Sequence, residues 1–343
     1  MNRGILETRA IFILMIFLFH AGLLPIGGTF GVCCFFILGG FCSYIGYSKK
    51  LCANNIGYKR YLFLRLSKFY PLHWLLLIPS FISELFTGYS LVNSTIILCV
   101  NAMLLQSLVP LKEYYFSYNA VSWYLSDTVV LICLFPFICR FINRLSNFLC
   151  SLLFIILIFA ELVMLFAIPD EYKHYFMYIN PFARMIDFAL GIYMAKLISS
   201  QICQHRIHEF KNMLNESFNI KTKLQFVMGG NILIICLLYV IFIVSTLFLN
   251  KISSNIRYLS SIYWFPGIIL MVGFYFFADN NPVESLVQKF GTISFEFFMT
   301  HQLVMNTLTK VNNIIPLIPD NIIPYEIITF NRTTRKGHQA SCT

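Results

Sequence analysis

Apolar residues run along the chain in ten long stretches, covering approximately residues 9–25, 29–47, 69–86, 91–108, 122–139, 148–168, 182–199, 227–249, 259–278 and 290–308. The runs are continuous rather than alternating, and most approach the ~20 residues that a helix needs to cross a bilayer. This pattern predicts an all-α, polytopic integral membrane helical bundle with about nine to ten transmembrane segments. Residues 1–310 read as one transmembrane domain and 311–343 as a polar C-terminal tail, since Pro316, Pro319 and Pro324 precede a polar run with no further helix. The first stretch is no cleavable signal, because it carries Arg9 and His20 and lacks a small-residue cleavage site. Ile202, Ile207, Phe210 and Leu214 fall at roughly helical spacing and point to a surface-lying helix in the 200–225 loop.

The loops orient the bundle. Lys49, Lys50, Lys59, Arg60, Arg65 and Lys68 lie between the second and third stretches with no acid among them, which places this loop and the N-terminus in the cytoplasm. Arg140 and Arg144, and the basic stretch 196–225, belong inside as well. Ten full crossings would put both outside, so one crossing must be lost before residue 140. Pro71, Pro79, Glu84 and Gly88 interrupt the 69–108 region, which predicts a bent or partly re-entrant pair there, nine crossings in all, and loops 110–121 and 169–180 outside.

Composition agrees with the pattern and removes other classes. Of 343 residues 58% are hydrophobic and 12% charged, against about 25% charged in an ordinary soluble domain. The net charge of +10 sits in short loops as topology requires, so no nucleic-acid partner is expected. Of the 11 cysteines, Cys33, Cys34, Cys99, Cys133, Cys139, Cys150 and Cys236 lie in or at the ends of apolar runs as small hydrophobes. No Cys/His spacing suggests zinc, so no metal is expected.

Ionisable residues inside apolar helices are the functional candidates, because each costs several kcal/mol unless paired or facing a cavity. Arg9 and His20 are eleven residues apart, about three turns plus 20°, and so share a helix face roughly 16 Å apart along the axis. His20 reads either as a general base in a cavity or as a histidine bonded between helices. Arg9 taken alone reads as a boundary arginine snorkelling to headgroups. Arg65 and Lys68, one turn apart, can grip an anionic group together, although lipid headgroups would also suit them. Arg184 and Asp187 are spaced to neutralise one another, whereas Asp127, Glu161 and Glu296 each need a partner. His301 lies at a depth comparable with His20. The glycines of Gly27–Gly40 read chiefly as helix-packing positions.

Together these residues resemble the membrane-bound acyltransferase-3 family. Arg9 and His20 fit its Arg-x10-His signature, and Gly31-Val32-x-x-Phe35-Phe36-x-Leu38-x-Gly40-Phe41 fits its GVxxFFxLSGF motif. Lys59 to Trp74 resembles its basic stretch before Pro-Leu-x-Trp, and Trp123-Tyr124-Leu125 through Pro136 its WxL...P helix. Arg184 to Gly191 and Ile293 to His301 echo its later RxxxFxxG and ISxxxYLxH patterns. Gly39 stands where the family usually has Ser, Lys68 replaces the second Arg, Phe298-Met299 stand for Tyr-Leu, and the tail suggests a shortened C-terminus.

The resemblance implies an O-acyltransferase of a bacterial inner membrane that moves an acyl group, usually acetyl, from cytoplasmic acyl-CoA to a hydroxyl of an extracytoplasmic or lipid-linked carbohydrate, as in lipopolysaccharide or capsule modification. Catalytic candidates are then His20, Arg9 and His301, and Arg65 and Lys68 would engage the CoA phosphates. A covalent acyl-enzyme on Ser43, Ser126 or Ser294 stays open. The main alternative is a transporter or flippase for an envelope sugar or lipid-linked substrate. A sugar polymerase or ligase would need a large outer loop that is absent here.

Overall fold

The structure is a computed structural model that describes residues 2–24, 27–85, 91–200, 209, 255–277 and 282–314. All regular elements among these residues are helical. They are α1 (Arg3–His20), α2 (Gly27–Cys52), α3 (Tyr58–Leu66), α4 (Tyr70–Leu85), α5 (Leu91–Ala102) and α6 (Lys112–Tyr115). There follow α7 (Ser122–Arg144), α8 (Asn147–Ala167), α9 (Asp170–Lys173), α10 (Pro181–Ile198), α11 (Ser261–Phe277), α12 (Pro282–Thr292) and α13 (Ser294–Ile314). Short 3-10 turns at Gln106–Leu108 and Ile256–Tyr258, and a π-helical turn at His174–Ile179, join them. The 227–249 stretch, the amphipathic 202–214 pattern and nearly all of the tail lie outside the described residues.

The described residues, which leave out the 227–249 stretch, do not confirm the expected nine to ten spans. Among the described residues three helices are long and apolar enough to cross a membrane: Gly28–Cys52, Ser122–Arg144 and Asn147–Ala167. The reason is chemical in two cases, since α1 carries Arg3, Glu7 and Arg9, and α10 carries Arg184, Asp187 and Lys196. It is geometric in another. Helices α4 and α5, with 16 and 12 residues, extend about 24 and 18 Å against a ~30 Å hydrocarbon core. They fold back on one another: the Tyr70 hydroxyl donates to Met103 O at 3.2 Å, His73 Nε2 to Asn101 O at 2.8 Å and Trp74 Nε1 to Ala102 O at 3.0 Å. The last apolar stretch is likewise broken, at Ile293, into α12 and α13.

Helix ends are closed locally. Asn2 and Asn180 accept from Gly4 N and Phe182 N at 2.8 and 2.9 Å, and Ser146 accepts from Leu149 N at 3.2 Å. The core forms where α2 lies against α10 and α1. Any side-chain carbon at Gly40 would strike the backbone of Phe188, and one at Gly191 the backbone of Ile37, so these two glycines let α2 and α10 touch main chain to main chain. Around that contact Phe12, Phe30, Phe36, Phe41, Phe135 and Phe188 are fully buried.

Two buried carboxylates, Asp187 and Glu161, are engaged in this core. Arg184 Nη1 meets Asp187 Oδ2 at 2.9 Å, as the spacing predicted, and Trp264 Nε1 donates to Asp187 Oδ1 at 2.7 Å. Glu161 on α8 accepts from Ser260 N, Ser260 Oγ and Ser261 N at 2.7, 2.8 and 3.1 Å, which closes the start of α11. Asp127 has no hydrogen-bond partner for either carboxylate oxygen among the described residues, and Glu296 is exposed. The cysteines among the described residues are free.

Candidate functional site

Helix α1 presents one face to α12 and α13 along its length. Gln288 Nε2 donates to Glu7 Oε1 at 2.7 Å, Arg9 Nε donates to Ser294 Oγ at 3.0 Å, and the His20 ring lies 5.3 Å from the His301 ring between centroids. The shared face expected for Arg9 and His20 is therefore the face that meets α13. Arg9 is half-buried, with its guanidinium bonded to Ser294.

The His301 Nδ1 lies 2.7 Å from Phe298 O, a carbonyl that can only accept, so Nδ1 carries a proton. Its Nε2 is buried without a partner among the described residues. Phe297 stacks on the ring at 6.1 Å and 12°, and Phe17 and Phe298 flank it at 6.5 and 5.9 Å. His20 keeps part of its surface accessible.

Two further polar groups at this end have unmet bonding capacity. Asn119 donates through Nδ2 to Met299 O at 2.9 Å, and its Oδ1 is buried with no partner among the described residues, as is Gln302 Oε1. Buried polar atoms are rarely left unpaired, and Asn119 is tied to the α13 backbone two residues before His301. Tyr118, just before Asn119, has φ 54°, a backbone region that a tyrosine occupies only under constraint. No local sequence signal pointed to Asn119 or Gln302.

Arg65 and Lys68 stand in different surroundings. Arg65, in the last turn of α3, donates through Nη2 to Ser43 Oγ at 3.0 Å and lies over the Tyr47 ring at 5.4 Å. Its Nε is buried without a partner among the described residues. Lys68 lies beyond the helix end, exposed, in the turn that leads into α4. The α3 helix ends at Leu66, and Ser67 keeps helical dihedrals.

An α-helical frame with a neutral imidazole facing a second one, unpaired hydrogen-bonding atoms around it, and guanidiniums at the other end can take a proton from a hydroxyl and hold an anionic donor at once. The chain was compared with known proteins. The acyltransferase-3 family model, described as an acyltransferase domain, matches residues 8–330, nearly the whole chain. No curated protein and no solved structure matches it. The family match spans every element described above from Thr8 onward, and the chain belongs to the acyltransferase-3 family of membrane acyltransferases.

Proposed function

We propose that the chain is an O-acyltransferase that moves an acyl group, with acetyl as the first candidate, from cytoplasmic acyl-CoA to a hydroxyl of an extracytoplasmic or lipid-linked carbohydrate. The observation that carries this reading is the His20–His301 ring pair at 5.3 Å, on the same α1 face whose Arg9 meets Ser294. Orientation by the basic loops puts the histidine pair toward the outer side and Arg65 toward the cytoplasm of a bacterial inner membrane, with the N-terminus inside.

In this reading His20 removes the proton from the acceptor hydroxyl as its oxygen forms the new ester bond to the acyl carbonyl carbon. The carbon–sulfur bond of the thioester breaks, and the CoA thiolate takes up a proton as it leaves. His301 orients His20 and the hydroxyl through Nε2, and Asn119 and Gln302 hold neighbouring hydroxyls. Arg65, with Nε unpaired, fits a phosphate of the donor. Lys68 adds charge at the entrance rather than a second bidentate contact.

The test is transfer of label from radiolabelled acetyl-CoA into envelope carbohydrate by membranes containing the chain, with an empty-vector control and a butyryl-CoA arm. Label that requires the chain supports the reading, and the two arms rank the acyl groups. No label above the control with either donor, from well-inserted protein, contradicts it.

A further inference from the structure

The loops at the histidine end of the bundle build a second feature. His174 opens the π-helical turn His174–Ile179, and its ring lies 5.6 Å from Phe116, 5.6 Å from Tyr178, 5.9 Å from Tyr258 and 6.2 Å from Tyr115. These rings come from three separate loop stretches. Phe116, His174, Tyr178 and Tyr258 each keep part of their surface accessible, which a cluster serving only as core would bury. π-Helical turns are rare and concentrate at functional sites.

Two cations lie by this cluster. Arg257 is exposed and lies over the Tyr258 ring at 5.1 Å, and the exposed Lys112 opens α6, the short helix that runs into Tyr115 and Phe116. The loop carboxylate Asp170 is already engaged, with Lys173 at 2.6 Å and Asn255 at 2.9 Å. Glu113 and Glu171 are exposed on the same loops. Burial, with Lys112 and Arg257 beside it, pushes the His174 imidazole down to about 4, so at neutral pH the ring is an uncharged donor and acceptor.

The cluster also connects to the histidine pair. Tyr178 meets Trp123 at 5.1 Å, Trp123 meets Tyr124 at 6.4 Å, Tyr124 meets Phe298 at 5.1 Å, and Phe298 meets His301 at 5.9 Å. Tyr124 and Tyr178 each keep part of their surface accessible.

We infer that this cluster is a binding subsite for an anionic glycan, with Phe116, His174, Tyr178 and Tyr258 meeting the sugar rings and Lys112 and Arg257 holding a carboxylate or phosphate on them. The C–H face of a pyranose is apolar and faintly positive, which suits the negative face of an aromatic ring. An anionic substituent gains charge-assisted hydrogen bonds from the two cations. That this glycan is the acyl acceptor rests on the proposed function; that the cluster binds it does not.

The experiment is equilibrium binding by microscale thermophoresis, using the full chain in nanodiscs of zwitterionic lipid. The probes are a galacturonate hexamer, a phosphorylated mannose oligosaccharide and neutral maltohexaose. The expected result is binding of at least one anionic probe, tighter than the neutral one and weakened by salt, with about tenfold or more lost in a Lys112→Gln/Arg257→Gln variant. The two anionic probes tell carboxylate from phosphate. His174→Leu should weaken binding while leaving the melting temperature at pH 7.5 within a few degrees. Binding to no probe, equal binding of the neutral probe, or unchanged affinity in both variants overturns the inference. So does capture of anionic vesicles, lost in the double variant, without any glycan binding. Glycan binding without acyl transfer would defeat the proposed function alone, and transfer without glycan binding would defeat this inference alone.

Discussion

The Arg9 guanidinium donates its Nε–H to Ser294 Oγ at 3.0 Å, joining the first helix to the last described one across 285 positions of sequence. With Gln288–Glu7 below it and His20–His301 above it, this bond fixes the register of α1 against α12 and α13. In the proposed mechanism this bond holds Arg9 in the site. Ser294→Ala should lower the turnover rate more than it raises the donor KM, because it frees the Arg9 side chain without touching Arg65. An effect confined to KM would place Arg9 with the donor instead.

Donor binding separates the two basic residues that the sequence grouped. Arg65 has a buried, unpaired Nε, whereas Lys68 is exposed in a turn. Arg65→Gln should raise the KM for acyl-CoA by about tenfold or more, and Lys68→Gln by only about twofold, as expected for a lost charge-assisted bond against a screened surface charge. Initial rates against donor concentration check this, and equal effects would restore the paired grip.

The glycines give a packing prediction with an internal control. Gly40→Ala or Gly191→Ala drives a methyl group into facing backbone and should lower the detergent melting temperature markedly or abolish insertion. At Gly39 the added carbon meets only the Phe188 ring at ordinary contact distance, so Gly39→Ala should melt within a few degrees of wild type. Equal sensitivity at the three sites would mean that α2 and α10 are not in backbone contact.

Glu161 supplies a test of the buried polar frame. Its three accepted bonds close the start of α11, so Glu161→Ala should cost about 2–4 kcal/mol of stability, and Glu161→Gln less, since one oxygen remains to accept. Chemical denaturation in detergent would show it. Loss below about 0.5 kcal/mol in the Ala variant would mean the carboxylate is dispensable there.

His174 makes stability depend on pH. Its folded-state value of about 4 lies below the ordinary value near 6.5, so between these limits the unfolded chain binds a proton that the folded chain does not. Stability from this group is complete above pH 6.5 and is lost as pH falls toward 4. His174→Phe should therefore flatten the decline in melting temperature between pH 6.5 and 4.5 relative to wild type. Parallel profiles would show that His174 titrates normally.

Much of this was legible in the sequence because it is local. Continuous apolar runs gave the helices, the eleven-residue interval put Arg9 and His20 on one face, and the three-residue interval paired Arg184 with Asp187. What the sequence withheld depends on distant partners. Nothing near Glu161 announces Ser260, nothing near Asn119 announces Met299, and the rings around His174 come from loops with no shared period. The break at Ile293 was hidden inside an unbroken apolar run, and the charges on α1 and α10 that make them poor spans by composition belong to the site and to the buried ion pair. The different burial of Arg65 and Lys68 is likewise set by what packs on them, Ser43 and Tyr47 for Arg65, and not by their interval.

Whether His20 acts in acyl transfer is decided by the initial rate of acetyl transfer by membranes containing wild type, His20→Ala, His301→Ala and the double variant at matched protein levels. A loss of about 10²- to 10⁴-fold is expected for His20→Ala, a smaller loss for His301→Ala, and little further loss in the double variant, if the two rings work as one unit. A His20→Ala protein that inserts normally and transfers acetyl at the wild-type rate would contradict that role.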